Sequence, residues 1–372
     1  MKSPRLLLFI TEDYYLVSHR LSLAVAAKAA GYDVSIVTRV REHGDVIRRA
    51  GLRLIPFENA RSGLNPFMEI HTLWRLVRLY RRERPDVVHH VAMKPVLYGS
   101  IAARLARVPV VVNAVAGMGW LFTSEGGLAR SLTRGVRWAL GRLLSTGIAL
   151  VQNPEDARLL AEFGVPETRI RRIAGSGVDL ARFTPAAPRR TLPVVVFPAR
   201  LLRDKGTGEF VAAARSLRQR GVAARFVLAG EPDPVNPSTV SPDEVEAWVR
   251  EGVVESLGWV SDMAALLAGC HIVCLPSYRE GLPKSLIEAA AAGKAIVTTD
   301  VPGCRDVVRH GDNGLLVPPR NAVALADAIQ RLIEDAALRE EMGTRGRRRA
   351  EQEFGLDAVI CQTLALYREA GV

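Results

Sequence analysis

Short runs of aliphatic and β-branched residues alternate with amphipathic stretches along nearly the whole chain, and that alternation leaves few folds open. Residues 6–10, 34–38, 87–91, 108–114 and 148–152 are short runs rich in aliphatic and β-branched residues, the pattern of buried parallel strands. Between them, residues 16–30 and 96–106 read as amphipathic helices. The alternation halts at residues 182–188, a Pro/Ala stretch with the composition of a linker, and restarts with strands at 194–197, 225–228, 272–275 and 295–298. The expectation is an α/β protein of two Rossmann-like, doubly wound domains, 1–187 and 188–355, facing a cleft. Ligands of such sheets bind outside the carboxyl ends of the strands.

The bulk numbers agree with a folded two-domain protein. A chain of 372 residues exceeds one ordinary core, and 48% apolar with 24% charged residues is a globular composition. No apolar run reaches the roughly 20 residues that span a bilayer. The apolar start is short and is followed by Glu12 and Asp13, where a signal peptide would carry a small-residue cleavage site. It reads as a first buried strand, and the chain is expected to stay in the cytoplasm. Cys270, Cys274, Cys304 and Cys361 match no zinc or redox spacing, and the first two flank an apolar strand as core thiols do. The net charge of +11 is uneven: residues 1–190 hold 29 Lys+Arg against 15 Asp+Glu, the remainder 21 against 24. One half therefore invites an anionic surface or ligand, with nucleic acid and anionic lipid both candidates.

Several chemistries are excluded by absent motifs. No G-x-G-x-x-G follows a strand, and there is no P-loop, H-E-x-x-H or G-x-S-x-G. No D-x-D occurs, so a metal-bridged nucleotide-sugar site built on paired aspartates has no support, and no metal or cofactor is expected. The informative segment is 275–293. A strand ends at Leu275, a loop carries Glu280 and Gly281, and Pro283 stands where a first helical residue belongs. Free backbone N–H groups and the positive end of the helix dipole would then meet an anion. Glu280 in the loop and Glu288 within the helix are placed to accept hydrogen bonds from the vicinal hydroxyls of a sugar or ribose. They are equally readable as a capping acid and a solvated helix residue. After the strand at 194–197 come Arg200 and Lys205, a pair suited to neutralising a diphosphate or simply two solvated surface charges.

Glu280-x7-Glu288 with Glu280-Gly281-Leu282-Pro283, together with Arg200…Lys205-Gly206, resembles the retaining glycosyltransferases of family four, which have the GT-B fold. The resemblance extends through Leu228-Ala229-Gly230, Leu257-Gly258-Trp259-Val260, Val301-Pro302-Gly303 and Asn313-Gly314-Leu315-Leu316-Val317. It points most toward the bacterial branch that builds capsule, O-antigen or glycoprotein glycans on undecaprenyl diphosphate. By that resemblance Arg200 and Lys205 hold the donor diphosphate, Glu288 binds the ribose, and Glu280 contacts the transferred sugar. Gly281, Leu282, Pro283 and Lys284 line the donor pocket, and the C-terminal segment 356–372 crosses back onto the first domain. The resemblance also implies a UDP-hexose or UDP-N-acetylhexosamine donor and a retaining, same-face, metal-independent transfer.

The first domain departs from the family. Thr11–Arg20 replaces the glycine-rich loop of many relatives, and an alanine stands in the 113–120 stretch where many carry a histidine. His19 and His89 are left as alternatives for that histidine's contact, and Lys94, His19 and Gly117 are the acceptor-side candidates; Lys94 follows a strand and starts a helix, a position suited to an acceptor diphosphate. Residues 71–82 mix aromatic, aliphatic and arginine side chains, as do 128–144 with Arg130, Arg134, Arg137, Trp138 and Arg142. Such helices suit an anionic membrane face, and outer helices of any α/β domain resemble them. The rival functions are a nucleotide-sugar epimerase on the same fold and a non-enzymatic anionic-polymer or nucleic-acid binder. The latter lacks stacking platforms and a recognised module.

Overall fold

The computed structural model describes residues 3–58, 66–115, 127–186 and 192–371. Among them, two all-parallel sheets form, each within its own compact unit: residues 1–176 with 359–372, and residues 177–358. The first sheet contains β1 (Arg5–Glu12), β2 (Asp33–Arg39), β3 (Arg53–Pro56), β4 (Val87–Val91), β5 (Val110–Ala114), β6 (Ile148–Val151) and β7 (Ile170–Arg172), ordered β3-β2-β1-β4-β5-β6-β7. The second contains β8 (Val194–Phe197), β9 (Arg225–Leu228), β10 (Glu255–Ser256), β11 (Ile272–Leu275), β12 (Ala295–Thr299) and β13 (Gly314–Val317), ordered β10-β9-β8-β11-β12-β13. Helices alternate with the strands, as the hydrophobic pattern predicts.

Burial explains why the strands read as continuous apolar runs. In β1, Leu6, Leu8 and Ile10 enter the core on one face while Leu7 and Phe9 enter a separate core on the other. The helix Leu356–Glu369 supplies Val359, Leu364, Leu366 and Tyr367 to the first of these cores. Residues 177–186 pack with the second unit although the linker-like composition continues to 188. Phe183 is buried there, and the Arg347 guanidinium donates to the carbonyls of Leu180 and Phe183.

Two sequence expectations need correction, and the cysteines divide by burial. Residues 16–30 form two helices, Asp13–His19 and Leu21–Ala29, because Arg20 leaves helical geometry (φ −133°, ψ −5°) and turns its buried guanidinium toward the Gly175 carbonyl at 3.4 Å. Pro283 caps the helix Lys284–Ala291 from the position just before it. Cys361 is exposed, whereas Cys270, Cys274 and Cys304 are buried thiols whose pKa burial drives up.

Candidate active site

Each sheet reverses its strand order once, between β1 and β4 in the first and between β8 and β11 in the second. At such a switch point the two following loops diverge and leave a ligand crevice. The loops after β8 and β11 carry Arg200, Lys205 and Glu280, three of the sequence-predicted donor residues, and the second leads into the helix that carries Lys284 and Glu288.

The two loops are fastened together. The Tyr278 N–H donates to the Asp204 carbonyl at 2.9 Å, and the Lys205 ammonium meets Glu280 Oε1 at 2.5 Å. Gly206 (φ 75°) packs so closely on Pro276 that an added Cβ would lie 2.2 Å from the proline carbonyl oxygen. The loop after β12 supports Glu280 from behind. Its N–H donates to the Pro302 carbonyl at 3.2 Å, and Gly303 (φ 80°) leaves room for its carbonyl. The Ser277 hydroxyl donates to Glu280 Oε1 at 2.7 Å. Both side-chain bonds land on Oε1; among the described residues none lands on Oε2, which is left to accept from a ligand hydroxyl.

Both cations are paired with carboxylates, Arg200 while still exposed. Arg200 donates to Asp233 at 2.5 Å, and Lys205 is held by Glu280. These pairs fix two long side chains before any ligand arrives, which removes part of the ordering cost of binding. An ammonium has three donors and a guanidinium five, so each keeps N–H groups for a phosphate oxygen.

Glu288 is not the solvated residue its helical position allows. It is 8% exposed, and Lys284, one turn earlier, reaches it at 3.3 Å. Burial raises its pKa from the ordinary carboxylate value, opposed by Lys284 and by the charge of Arg182. Gly281, Leu282 and Pro283 connect Glu280 to this helix. Sequence reasoning missed Asp233, Ser277 and Arg182, whose roles come from contacts across the fold; only the proximity of Ser277 to Glu280 offered a signal.

The first unit gives a different result. His89 is completely buried, its Nδ1 bonded to the Tyr367 hydroxyl at 2.6 Å, and burial holds its pKa well below the ordinary value. It is therefore a core residue, which removes it as an alternative for the missing histidine's contact. His90, equally buried, is lowered by that burial to about 4. His19 lies at the end of the helix after β1, stacked on Tyr15 with centroids 4.2 Å apart and 2.7 Å from the Ser18 hydroxyl. Lys94 begins the helix after β4 as expected, yet its ammonium is engaged by Glu69 at 3.1 Å. Just before it, Ala92 adopts φ 76° and ψ 165°, a region costing about 1–3 kcal/mol outside glycine, at the switch point itself. Gly117 lies outside the described residues.

Comparison with known proteins agrees with the geometry. Residues 5–142 match the family described as "Glycosyl transferase 4-like", and residues 192–335 match "Glycosyl transferases group 1". The chain is 31% identical over 338 residues to the N,N'-diacetylbacillosaminyl-diphospho-undecaprenol alpha-1,3-N-acetylgalactosaminyltransferase of Campylobacter jejuni, covering 86% of this chain and 87% of that protein. It is 25% identical over 285 residues to the UDP-Gal:alpha-D-GlcNAc-diphosphoundecaprenol alpha-1,3-galactosyltransferase of Escherichia coli, covering 73% and 72%. Among solved structures, Anabaena Alr3699/HepE in complex with UDP and glucose superposes with a TM-score of 0.79 at 18% identity, covering 98% and 99%, a likeness of fold.

Proposed function

The chain belongs to glycosyltransferase family four, with the GT-B fold, and on that premise we propose that it is a retaining, metal-independent hexosyltransferase. Its donor is a nucleotide diphosphate sugar, a UDP-hexose or UDP-N-acetylhexosamine. Its acceptor is a polyprenyl-diphosphate-linked glycan in bacterial surface-polysaccharide or glycoprotein glycan assembly, reached by peripheral attachment at the cytoplasmic membrane face. The carrying observation is the Lys205–Glu280 pair that ties the loops after β8 and β11 at the switch point, with Arg200 on the first loop and buried Glu288 on the helix that follows the second. The names of the Campylobacter and Escherichia relatives favour the acceptor class.

Cleaving the anomeric bond builds negative charge on the departing diphosphate. Arg200, Lys205 and the amino end of the helix Lys284–Ala291 supply opposite charge that is already oriented. Glu280, anchored through Oε1, offers Oε2 to a hydroxyl of the transferred sugar. Glu288 accepts from the ribose, while Gly281, Leu282, Pro283 and Lys284 line the donor pocket. In a same-face mechanism the leaving phosphate takes the acceptor proton, so no protein nucleophile is required. On the acceptor side, Lys94 stands at a helix start after β4 and His19 follows β1; Gly117 is assigned by resemblance alone.

The test supplies purified protein with candidate sugar nucleotides and a polyprenyl-diphosphate acceptor, with EDTA present. The expected product is an acceptor one hexose or N-acetylhexosamine heavier with the donor's anomeric configuration kept. Glu280→Gln should lower turnover by about 10²–10³-fold, the range found when one preorganised polar group is removed. Epimerised sugar nucleotide without any acceptor would install the rival enzyme instead.

A further inference from the structure

The helix Pro66–Glu83 buries one face of its length, including Leu76 and Tyr80, against the first sheet. An outer helix needs one apolar stripe, and this one has a second. Spacings of three and four put Ile70, Trp74, Arg78 and Arg81 on one exposed line. Ile70 is 66% and Trp74 57% exposed. The helix joins β3 to β4, which run parallel to each other, so its amino end lies toward the carboxyl edge of the sheet and its carboxyl end toward the amino edge. Its 18 residues rise about 27 Å, with aromatic and aliphatic side chains in the first half and arginines in the second.

At the amino edge, Arg81 and Arg84 join Arg5 and Arg107 around a pocket of about 490 Å³ in which Asp86 is the one carboxylate. Asp86 already accepts from the Arg5 backbone at 2.8 Å and faces its guanidinium at 3.5 Å. Helix carboxyl ends attract cations to their last carbonyls, which explains Arg81, whose guanidinium donates to the Leu105 carbonyl at 3.2 Å. That attraction does not explain Arg84 and Arg107. Both are exposed, and neither has a side-chain acceptor among the described residues. Both also adopt left-handed backbone just past a helix end, with φ of 48° and 56°. Glycine takes that conformation at least cost, yet the chain keeps two guanidinium groups at one rim.

We propose that this face is a docking surface for anionic phospholipid. The arginine pocket takes the phosphate headgroup, and Ile70 and Trp74 enter the acyl boundary. The proposal gives the membrane attachment in the proposed function its residues and rests on that reading. A bilayer is favoured over a soluble polyanion because basic and apolar groups share one helix line; only an interface satisfies both.

The experiment measures partition of the full chain onto vesicles of pure phosphatidylcholine and of phosphatidylcholine with one quarter phosphatidylglycerol. Arg84→Gly/Arg107→Gly tests the pocket without straining the backbone, and Ile70→Ser/Trp74→Ser tests the apolar half. The wild type should bind the anionic vesicles selectively. The glycine pair should bind roughly 30-fold more weakly, about fivefold per arginine, with an undiminished melting temperature, and the serine pair should also release. Unchanged partition of the glycine pair, equal binding to both vesicles, or displacement by an oligonucleotide would overturn the proposal. Melting shifts with nucleotide on the same preparations separate the two readings. Docking as described without any nucleotide shift keeps this face and removes the transferase assignment.

Discussion

Glu288 is a carboxylate placed where water barely reaches it, on a helix whose neighbouring positions are alanine, leucine and isoleucine. Its raised pKa means that the fold favours the protonated form more than the unfolded chain does. As pH rises past the ordinary carboxylate value, the unfolded chain loses its proton first. The stabilising contribution, complete at acid pH, is lost as pH climbs to the raised folded value. Glu288→Gln should therefore melt at a higher temperature than the wild type at neutral pH, with the advantage vanishing in acid. It should also bind the donor nucleotide about tenfold more weakly, since hydrogen bonds to a charged acceptor are worth about 1.5–3 kcal/mol. Melting curves across pH and a nucleotide titration check both. A variant less stable at neutral pH would make Glu288 a structural residue. A loop position for Glu280 and a helical one for Glu288 were legible in the sequence, while a capping acid and a solvated residue read equally well there and the donor roles came from the family resemblance. Their partners were not: Arg200 meets Asp233 33 residues away, and Lys205 meets Glu280 75 residues away. Such pairings depend on which strands become neighbours.

At the scale of elements, the donor site is two loops zipped at a sheet's switch point. The strand pattern predicts that such loops exist, because apolar runs buried on both faces survive as strands whatever the loop chemistry. It does not give the seam between them. Gly206 shows what the seam requires: a left-handed backbone and close contact with the Pro276 carbonyl. Gly206→Ala should cost about 1–3 kcal/mol and weaken nucleotide binding by displacing Lys205. Gly208, two residues on in the following helix, meets nothing within 4 Å at its absent Cβ. Gly208→Ala should be neutral or slightly stabilising. Denaturant unfolding of the two variants side by side makes the comparison; equal effects would mean that the seam is not what positions the lysine. The helix break at Arg20 was illegible for the same kind of reason. Residues 16–30 keep helical periodicity across it, and a contact to Gly175, 155 residues away, decides the backbone.

Taken whole, the chain leaves its first unit at Ser176 and returns at Val359, within the helix Leu356–Glu369. The outgoing and returning segments pair through Val178 and Gly355, and beyond them Tyr367 bonds His89 inside the first unit's core. The berth of that last helix was supplied only by family resemblance, since periodicity names a buried face and never its partner. The family itself spans both units, matching residues 5–142 and 192–335, while the histidine and glycine-rich loop expected in the first are replaced. Donor chemistry in the second unit is thus the central claim. Its most direct test is a thermal-shift screen of UDP, GDP, ADP and dTDP, with and without magnesium, on the wild type and on Arg200→Met/Lys205→Met. One diphosphate nucleotide should stabilise the wild type, by about 2.7 kcal/mol at a hundredfold excess over Kd, unchanged by magnesium and abolished in the folded double variant. No shift with any nucleotide, or a shift that survives loss of both cations, would contradict it.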